Sequence, residues 1–478
     1  MLRPLLAATA MVALLSGCAL GPDFLRPADP RTAAYTAEPL PPTVGEADRT
    51  QALAIGAEVT ASWWSLFQSE ALDQIVRDAI AGSPTLAMAQ AKVTAARAAA
   101  DVARGGTAPQ VEVLGNANRA KANLESFGLP GDSNPINLFL VGPRVSYDLD
   151  VFGRTRRQVE QKTAEADRAE HQLAAAYLSL TGNAVRQAIA IAAYNDEIKT
   201  LQTVIADDER TIALVRTRLD NGAASRADLL RAQSQLDSDR ALLPPLNQGR
   251  AAARNALAVL TGRAPGDWLP PDFSLAQFTL PAELPVALPS TLARRRPDIA
   301  VAEAELHAAS AAIGVAEAAR YPDITLSAAM LPLAATPAGL FEASNLLWTF
   351  GGSLAAPVYK GGALEARERQ AKAEYDAAMA NYRDTVVKAF GQVADVLNAL
   401  QNDAALTAAQ RRTVASAGEA TELARIRYRD GAASLNDVLD AERVYQQAKL
   451  SLVDAEARRY RDSADLMAAL GGGWKARG

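Results

Sequence analysis

Apolar positions recur along this chain with two different periods, and each period predicts a different kind of element. Beyond Arg154 they fall at Leu173, Tyr177, Leu180, Ala184, Ile191, Tyr194, Ile198, Leu201, Ile205, Ile212, Val215 and Leu219, spaced by three, four or seven. That is a heptad seam, the pattern of a long helix laid against other helices. A less strict seam runs through Tyr382, Val386, Ala389, Val393, Val396 and Leu400. No proline interrupts the chain from Arg154 to Leu243, or from Val358 to the C-terminus. At 1.5 Å per residue, the stretch from Arg154 to Leu219 spans on the order of 100 Å, and no compact globular domain uses such a helix.

The period shortens to two after Pro109, with Val111-x-Val113, and again at Val145-x-Tyr147-x-Leu149-x-Val151. It returns at Ile324-x-Leu326-x-Ala328-x-Met330 and at Trp348-x-Phe350. This predicts four strands, at about 108–119, 138–152, 322–335 and 345–359. Small and polar residues lie between the apolar ones, as a strand with one face to lipid and one to water requires, although a soluble pair of hairpins alternates in the same way. Four strands cannot close a barrel, whereas several chains together can, so a membrane reading demands oligomerisation.

The two sets of elements are copies of each other. Ser83-Pro84-Thr85-Leu86 returns as Arg296-Pro297-Asp298-Ile299 at an offset of 213, which also carries Pro109 onto Pro322. Ala164-Glu165-Ala166-Asp167 returns as Ala373-Glu374-Tyr375-Asp376 at an offset of 209, and the same offset carries Gly222-Ala223-Ala224-Ser225 onto Gly431-Ala432-Ala433-Ser434. The change of offset places a longer loop in the first copy, between Gly115 and Val145. Residues 83–262 and 296–471 are the two repeats, each reading helix, two strands, long helix, turn, helix. Between them, 263–295 carries six prolines and is expected to be an extended connector. Residues 18–62, rich in proline, alanine and charge, are expected to be a tether.

Composition narrows the function. Aromatic residues make up only 5% of the chain while alanine is abundant, which predicts helices packed through small side chains, as in a thin-walled tube rather than around a thick core. A net charge of -5 gives no basic footprint for nucleic acid. The two histidines, His171 and His307, have no second ligand at metal-binding spacing and read as solvated helix residues; no metal or other cofactor is expected. Cys18 is the single cysteine, so disulfides within the chain and thiolate clusters are excluded. It follows Arg3, an apolar run from Leu5 to Leu15, and Leu15-Ser16-Gly17. This reads as a signal peptide, 1–17, ending in a lipoprotein box, with a covalent lipid on Cys18. Ala19, rather than an aspartate, points to sorting to the outer membrane. The signal run is too short to span a bilayer, and no later stretch approaches the roughly 20 uninterrupted apolar residues of a membrane-spanning helix.

The turns closing the long helices carry the residues of most chemical interest. Each long helix ends at Asn221-Gly222 or Asp430-Gly431, where glycine takes the left-handed conformation, and the next helix starts at Ser225 or Ser434. Asp228 and Asp437 stand three residues beyond those serines, in capping-box position. Asp440 lies one turn further, beyond the reach of the cap and on nearly the same face as Asp437, and its counterpart in the first copy is Arg231. In a symmetric tube of such hairpins, Asp437 and Asp440 form stacked acidic rings around a hydrated, cation-attracting constriction.

Tyr147-Asp148-Leu149-Asp150-Val151-Phe152-Gly153-Arg154, Arg294-Arg295-Arg296-Pro297-Asp298-Ile299, Ile313-Gly314-Val315-Ala316, Pro357-Val358-Tyr359-Lys360-Gly361-Gly362 and Asp437-Val438-Leu439-Asp440-Ala441 resemble, in order and spacing, the TolC-like outer membrane factors of the NodT lipoprotein type. The resemblance covers about 83–471. It implies a mainly α protein with a transmembrane β-barrel: a homotrimer whose twelve strands, four per chain, form one barrel continued by a long periplasmic α-helical barrel. It also implies a periplasmic adaptor and an inner-membrane transporter, commonly of the resistance-nodulation-division type, as partners. Acids matching Asp437 and Asp440 ring the periplasmic entrance in that family, positions matching Asp228 and Tyr428 join the network that holds it shut, and the turns matching Gly222, Ala223, Gly431 and Ala432 lie where the adaptor docks. One departure stands out: the family arginine two residues after the second glycine is Ala433 here, and Arg231 or Arg427 is expected to serve instead. The expected function is a passive efflux duct without enzymatic activity. The alternatives are a duct for protein secretion or a periplasmic coiled-coil scaffold lipoprotein. A lipid-anchored hydrolase is disfavoured by the missing histidine partner and the absence of a Gly-x-Ser-x-Gly elbow.

Overall fold

The computed structural model describes residues 19–473 apart from 29, 31, 33, 47–48 and 122–134. The signal segment, Cys18 and most of the longer first-copy loop lie outside the described residues. In chain order the elements are β1 (Thr43–Val44), β2 (Gln51–Ile55), α1 (Glu70–Gly82), α2 (Pro84–Gly105), β3 (Gln110–Ala120), β4 (Ile136–Leu149), α3 (Arg154–Asp220), α4 (Arg226–Arg240), α5 (Leu243–Leu260), β5 (Glu283–Val286), α6 (Pro289–Arg295), α7 (Pro297–Ala318), β6 (Asp323–Ala334), β7 (Leu346–Ala355), α8 (Ala363–Arg429) and α9 (Leu435–Ala469). Two pairs of helices keep the duplication to the residue. Helices α2 and α7 are both 22 residues long, and α3 and α8 are both 67. The copies part at the return helix, which is one 35-residue element in the second copy and is broken before Pro244-Pro245 in the first. Proline has no N–H for the helical ladder, so the chain restarts there.

The chain forms two compact units. The first holds the segment up to Pro27 together with 91–170 and 301–383. Its sheet is antiparallel throughout, in the order β3-β4-β6-β7. The register sorts side chains by face, because paired residues share one. Val111, Val145, Ala328 and Phe350 are paired in a row, as are Tyr147, Leu326 and Gly352, and Leu149, Ile324 and Leu354. The other face carries the rows Glu112, Arg144, Ala329, Thr349 and Asp148, Thr325, Ser353. There Arg144 pairs with Glu112, and Thr325 donates to Asp148 at 2.6 Å. One face is therefore apolar and the other polar. Val111, Trp348 and Phe350 remain 71%, 70% and 75% exposed on the apolar side. The alternation relaxes near the loop end, where Leu140, Leu333 and Leu347 join the polar face. The strands are slightly shorter at most ends than their periodicity predicts. β4–β6 pairing also lapses around Pro143, which has no donor to offer.

The start of the chain is docked on this unit rather than tethered. Leu20 donates its N–H to the Phe152 carbonyl at 3.1 Å. Arg157, 5% exposed at its side chain, donates to the carbonyls of Leu20 and Gly21 at 3.0 and 3.1 Å and to Asp23 at 2.8 Å. Phe24 stacks on His307 at 4.3 Å, and Arg26 pairs with Glu303 at 2.8 Å. His307 also sits 3.0 Å from Glu160, so it is a packed residue and not the solvated one its surroundings in sequence suggest. Helix α7, which carries it, is apolar and long enough by composition to span a bilayer. Its buried Leu306, Ala311 and Ile313, and the Glu303 and His307 contacts, make it a packed helix of the fold.

The second unit, 28–90, 171–300 and 384–478, corrects two further expectations. Its small sheet pairs β1 with β2 antiparallel and β2 with β5 parallel, so both the presumed tether and the proline-rich connector supply strands. Phe273, Leu275, Phe278, Leu284, Val286 and Leu292 of the connector are buried with Trp63, Trp64, Phe67 and Tyr460. Asn195 and Tyr460 donate to the carbonyls of Phe273 and Phe278 at 2.8 and 3.0 Å. These aromatic residues share one core with small residues of the long helix α3, Ala184, Ala188 and Ala192, and Ala389 of α8 is buried as well.

At Gly314 an added Cβ would stand 2.7 Å from the Leu20 carbonyl oxygen and 2.8 Å from Arg157 Cγ. Gly314→Ala is therefore expected to displace the docked segment at a cost of about 1–3 kcal/mol. Limited chymotrypsin digestion should show faster cleavage after Phe24 in the variant with unchanged helix content; equal rates would mean that the segment does not depend on this contact.

Candidate functional site

Both hairpin turns lie in the second unit and share one geometry. Gly222 and Gly431 have φ of +73° and +75°. Ahead of them the amides of Ala223 and Ala432 bond back to the carbonyls of Arg218 and Arg427, each at 2.7 Å, which closes the long helix. The capping boxes are complete. Ser225 N–H and Oγ donate to Asp228 Oδ2 at 2.9 and 2.7 Å, and Asp228 N–H returns to Ser225 Oγ at 3.1 Å. Ser434 and Asp437 repeat this at 2.7, 2.8 and 3.3 Å. The serine hydroxyl and amide, with smaller help from Arg231 and Arg427 respectively, hold both carboxyls below the ordinary aspartate range.

Val215, Tyr428, Leu435 and Val438 pack between the two hairpins as the core of the tip. Burial of Leu435 and Val438 fixes the rotation of α9, so Asp437 and Asp440 fall together on its exposed face. Asp440 takes no part in the cap. Its side chain is 76% exposed, with Arg443 at 3.7 Å. Asp437 is thus both a cap and an exposed charge, whereas Asp440 is an exposed charge alone.

The structure separates the two arginines expected to replace the one missing at Ala433. Arg231 donates to Asp228 at 3.3 Å and reaches Asn436 of the second hairpin only at 3.5 Å. Arg427 stays on its own turn, 3.4 Å from the Ala432 carbonyl. The sequence reading missed Arg218, whose guanidinium lies over the Tyr428 ring at 4.1 Å. The signal was present, since the offset of 209 pairs Arg218 with Arg427.

About four turns along α3 from the first glycine lies a buried polar layer, also missed. Asp208, 4% exposed, shares a hydrogen bond with the Asp239 carboxyl and accepts from Gln446 at 3.3 Å; Gln235 donates to Asp239 at 2.8 Å. Glu442, equally buried, is paired with Arg425 at 2.8 Å. Burial, then the neighbouring Asp239 carboxyl, pushes Asp208 up to about 8. Its position, three residues after Ile205 and four before Ile212, puts an acid in the heptad seam.

The sequence profile of the outer membrane efflux proteins matches residues 75–263 and 288–472, one segment for each repeat. The chain belongs to the outer membrane efflux protein family. It is 32% identical to Nodulation protein T of Rhizobium leguminosarum bv. viciae, over 98% of this chain and 94% of that one. It is 30% identical to the cation efflux system protein CusC of an Escherichia coli O6:H1 strain, over 96% and 97%. Among solved structures, the outer-membrane channel OprN superposes with a TM-score of 0.87 at 28% identity, covering 96% of this chain and all of that one. This efflux protein thus has the fold of the outer-membrane channels, and its place is the outer membrane, extending into the periplasm.

The Asp208 layer makes efflux-protein stability depend on pH. A carboxyl raised on folding favours the native state fully below its unfolded value of about 3.9, and that contribution is lost as pH rises through about 8. Asp208→Asn removes this dependence. Its Tm should exceed that of wild type by a few degrees at pH 9, and the difference should shrink by pH 5; parallel Tm–pH curves would show that Asp208 ionises without cost.

Proposed function

We propose that this chain is the passive exit duct of a tripartite efflux pump. Three copies close a twelve-stranded barrel, and the periplasmic hairpin tips form the gate. The observation that carries this reading is the four-stranded sheet with one apolar and one polar face, whose edge strands β3 and β7 have no further partner within the described residues. In hydrocarbon, unpaired strand edges cost several kcal/mol per backbone group, so closure by further copies follows from the membrane reading. Docking of Leu20 beside Phe152, three residues past the end of β4, supports a lipid on Cys18 at the same membrane boundary.

An adaptor engages the turns at Gly222-Ala223 and Gly431-Ala432, and an inner-membrane transporter of the resistance-nodulation-division type supplies the energy. The relatives' names range from cation efflux to pyoverdine export and toluene efflux on one fold, which supports assigning the choice of cargo to the transporter. Asp437 and Asp440 ring the entrance, with Asp228 and Tyr428 in the network that shuts it. No chemistry is assigned to the chain.

Single-channel conductance of the purified protein in planar bilayers tests this. Wild type should give reproducible cation-selective steps blocked by divalent cations from one side. Asp440→Asn, which removes a charge without touching a cap, should weaken block and selectivity several-fold, and Asp437→Asn/Asp440→Asn should weaken them further. Unchanged block in both variants would return the two aspartates to capping and solvation, and the absence of steps from every protein would end the channel reading.

A further inference from the structure

Duplication gives each turn an arginine four residues before its glycine, but the two are used differently. Arg427 remains within its own turn. Arg218 crosses to the other hairpin. Its guanidinium carbon is 4.1 Å from the centroid of the Tyr428 ring, and both Nη1 and Nη2 lie 3.4 Å from the Tyr428 carbonyl oxygen. That carbonyl also accepts the Gly431 N–H at 3.1 Å, so Arg218 sits on the electronegative end of α8 where its turn closes. The position matching Tyr428 in the first copy is Leu219, which offers no ring face. The contact therefore has one direction only: the first hairpin grips the second. Tyr428 is itself buried against Val215, Leu435 and Val438, so the ring that receives the guanidinium is held in place and partly desolvated, the setting in which a cation–π contact is strongest.

We propose that Arg218 is the latch that holds the second hairpin against the first in the closed tip, in the place left open by Ala433; this rests on the gated-duct reading above. The latch uses the face of the ring and a main-chain carbonyl, and neither the tyrosine hydroxyl nor a carboxylate takes part. Guanidinium keeps its charge throughout the accessible pH range. Swinging the second hairpin outward separates Arg218 from Tyr428 before it disturbs either capping box, because each box is confined to its own helix. Arg218 is thus a positioning residue: it sets the closed arrangement and does not line the path.

The test is the open fraction of the full-length protein in planar bilayers for Arg218→Ala, Arg218→Lys, Tyr428→Phe, Tyr428→Ala and the double variant Arg218→Ala/Tyr428→Ala. Arg216→Ala removes the same charge from an exposed site two residues away. Arg218→Ala and Tyr428→Ala should each raise the open fraction at least about fivefold, and the double variant should rise no further than either one. Arg218→Lys should restore part of the closure, Tyr428→Phe should open the channel less than Tyr428→Ala, and Arg216→Ala should match wild type. Arg218→Ala behaving as wild type, Arg216→Ala opening the channel as much as Arg218→Ala, or the two single effects multiplying in the double variant would each overturn the latch. Silence of every protein, wild type included, would remove the duct reading and the latch with it, whereas steps from wild type with an unaffected Arg218→Ala would remove the latch alone.

Discussion

Backbone groups in hydrocarbon must find partners within protein, and the architecture of this chain follows from that requirement. A four-stranded antiparallel sheet with one apolar face leaves a row of donors and acceptors at each edge, along β3 and β7. Such a sheet is not a finished object in a bilayer. Helices α3 and α8, which follow the strands in the two copies, are both 67 residues and are matched residue for residue by the duplication.

Much of this was legible in the residue pattern. The offsets of 213 and 209 reappear as pairs of helices of identical length, and period-two stretches mark all four strands within a few residues. The capping boxes at Ser225 and Ser434 were legible because a cap is decided within four consecutive residues. What escaped depends on partners distant in the chain. Proline counts suggested free connectors at 18–62 and 263–295, but β2 pairs with β5 across more than two hundred residues, and no local pattern records that pairing. His307 looked solvated because Phe24, which covers it, lies in a segment read as a tether.

At the tips the division is similar. The role of Asp437 as a cap could be read from spacing, and the offset of 209 pairs Arg218 with Arg427, but which of the two reaches the other hairpin depends on packing that the spacing does not record. The layer around Asp208 left a trace as an acid among the isoleucines of the seam. Its company of Asp239, Glu442 and Gln446 is assembled from two other helices, α4 and α9.

The interruption before Pro244-Pro245 leaves the two hairpins with unlike return limbs. Helix α9 is a single element of 35 residues, so one unbroken hydrogen-bond ladder links the cap at Ser434 to Ala469. In the corresponding limb of the first hairpin the helical ladder is interrupted at Ala241-Leu242, so no single element reaches from Ser225 to Leu260. Two halves that began as copies now differ in continuity, one return limb whole and the other in two pieces.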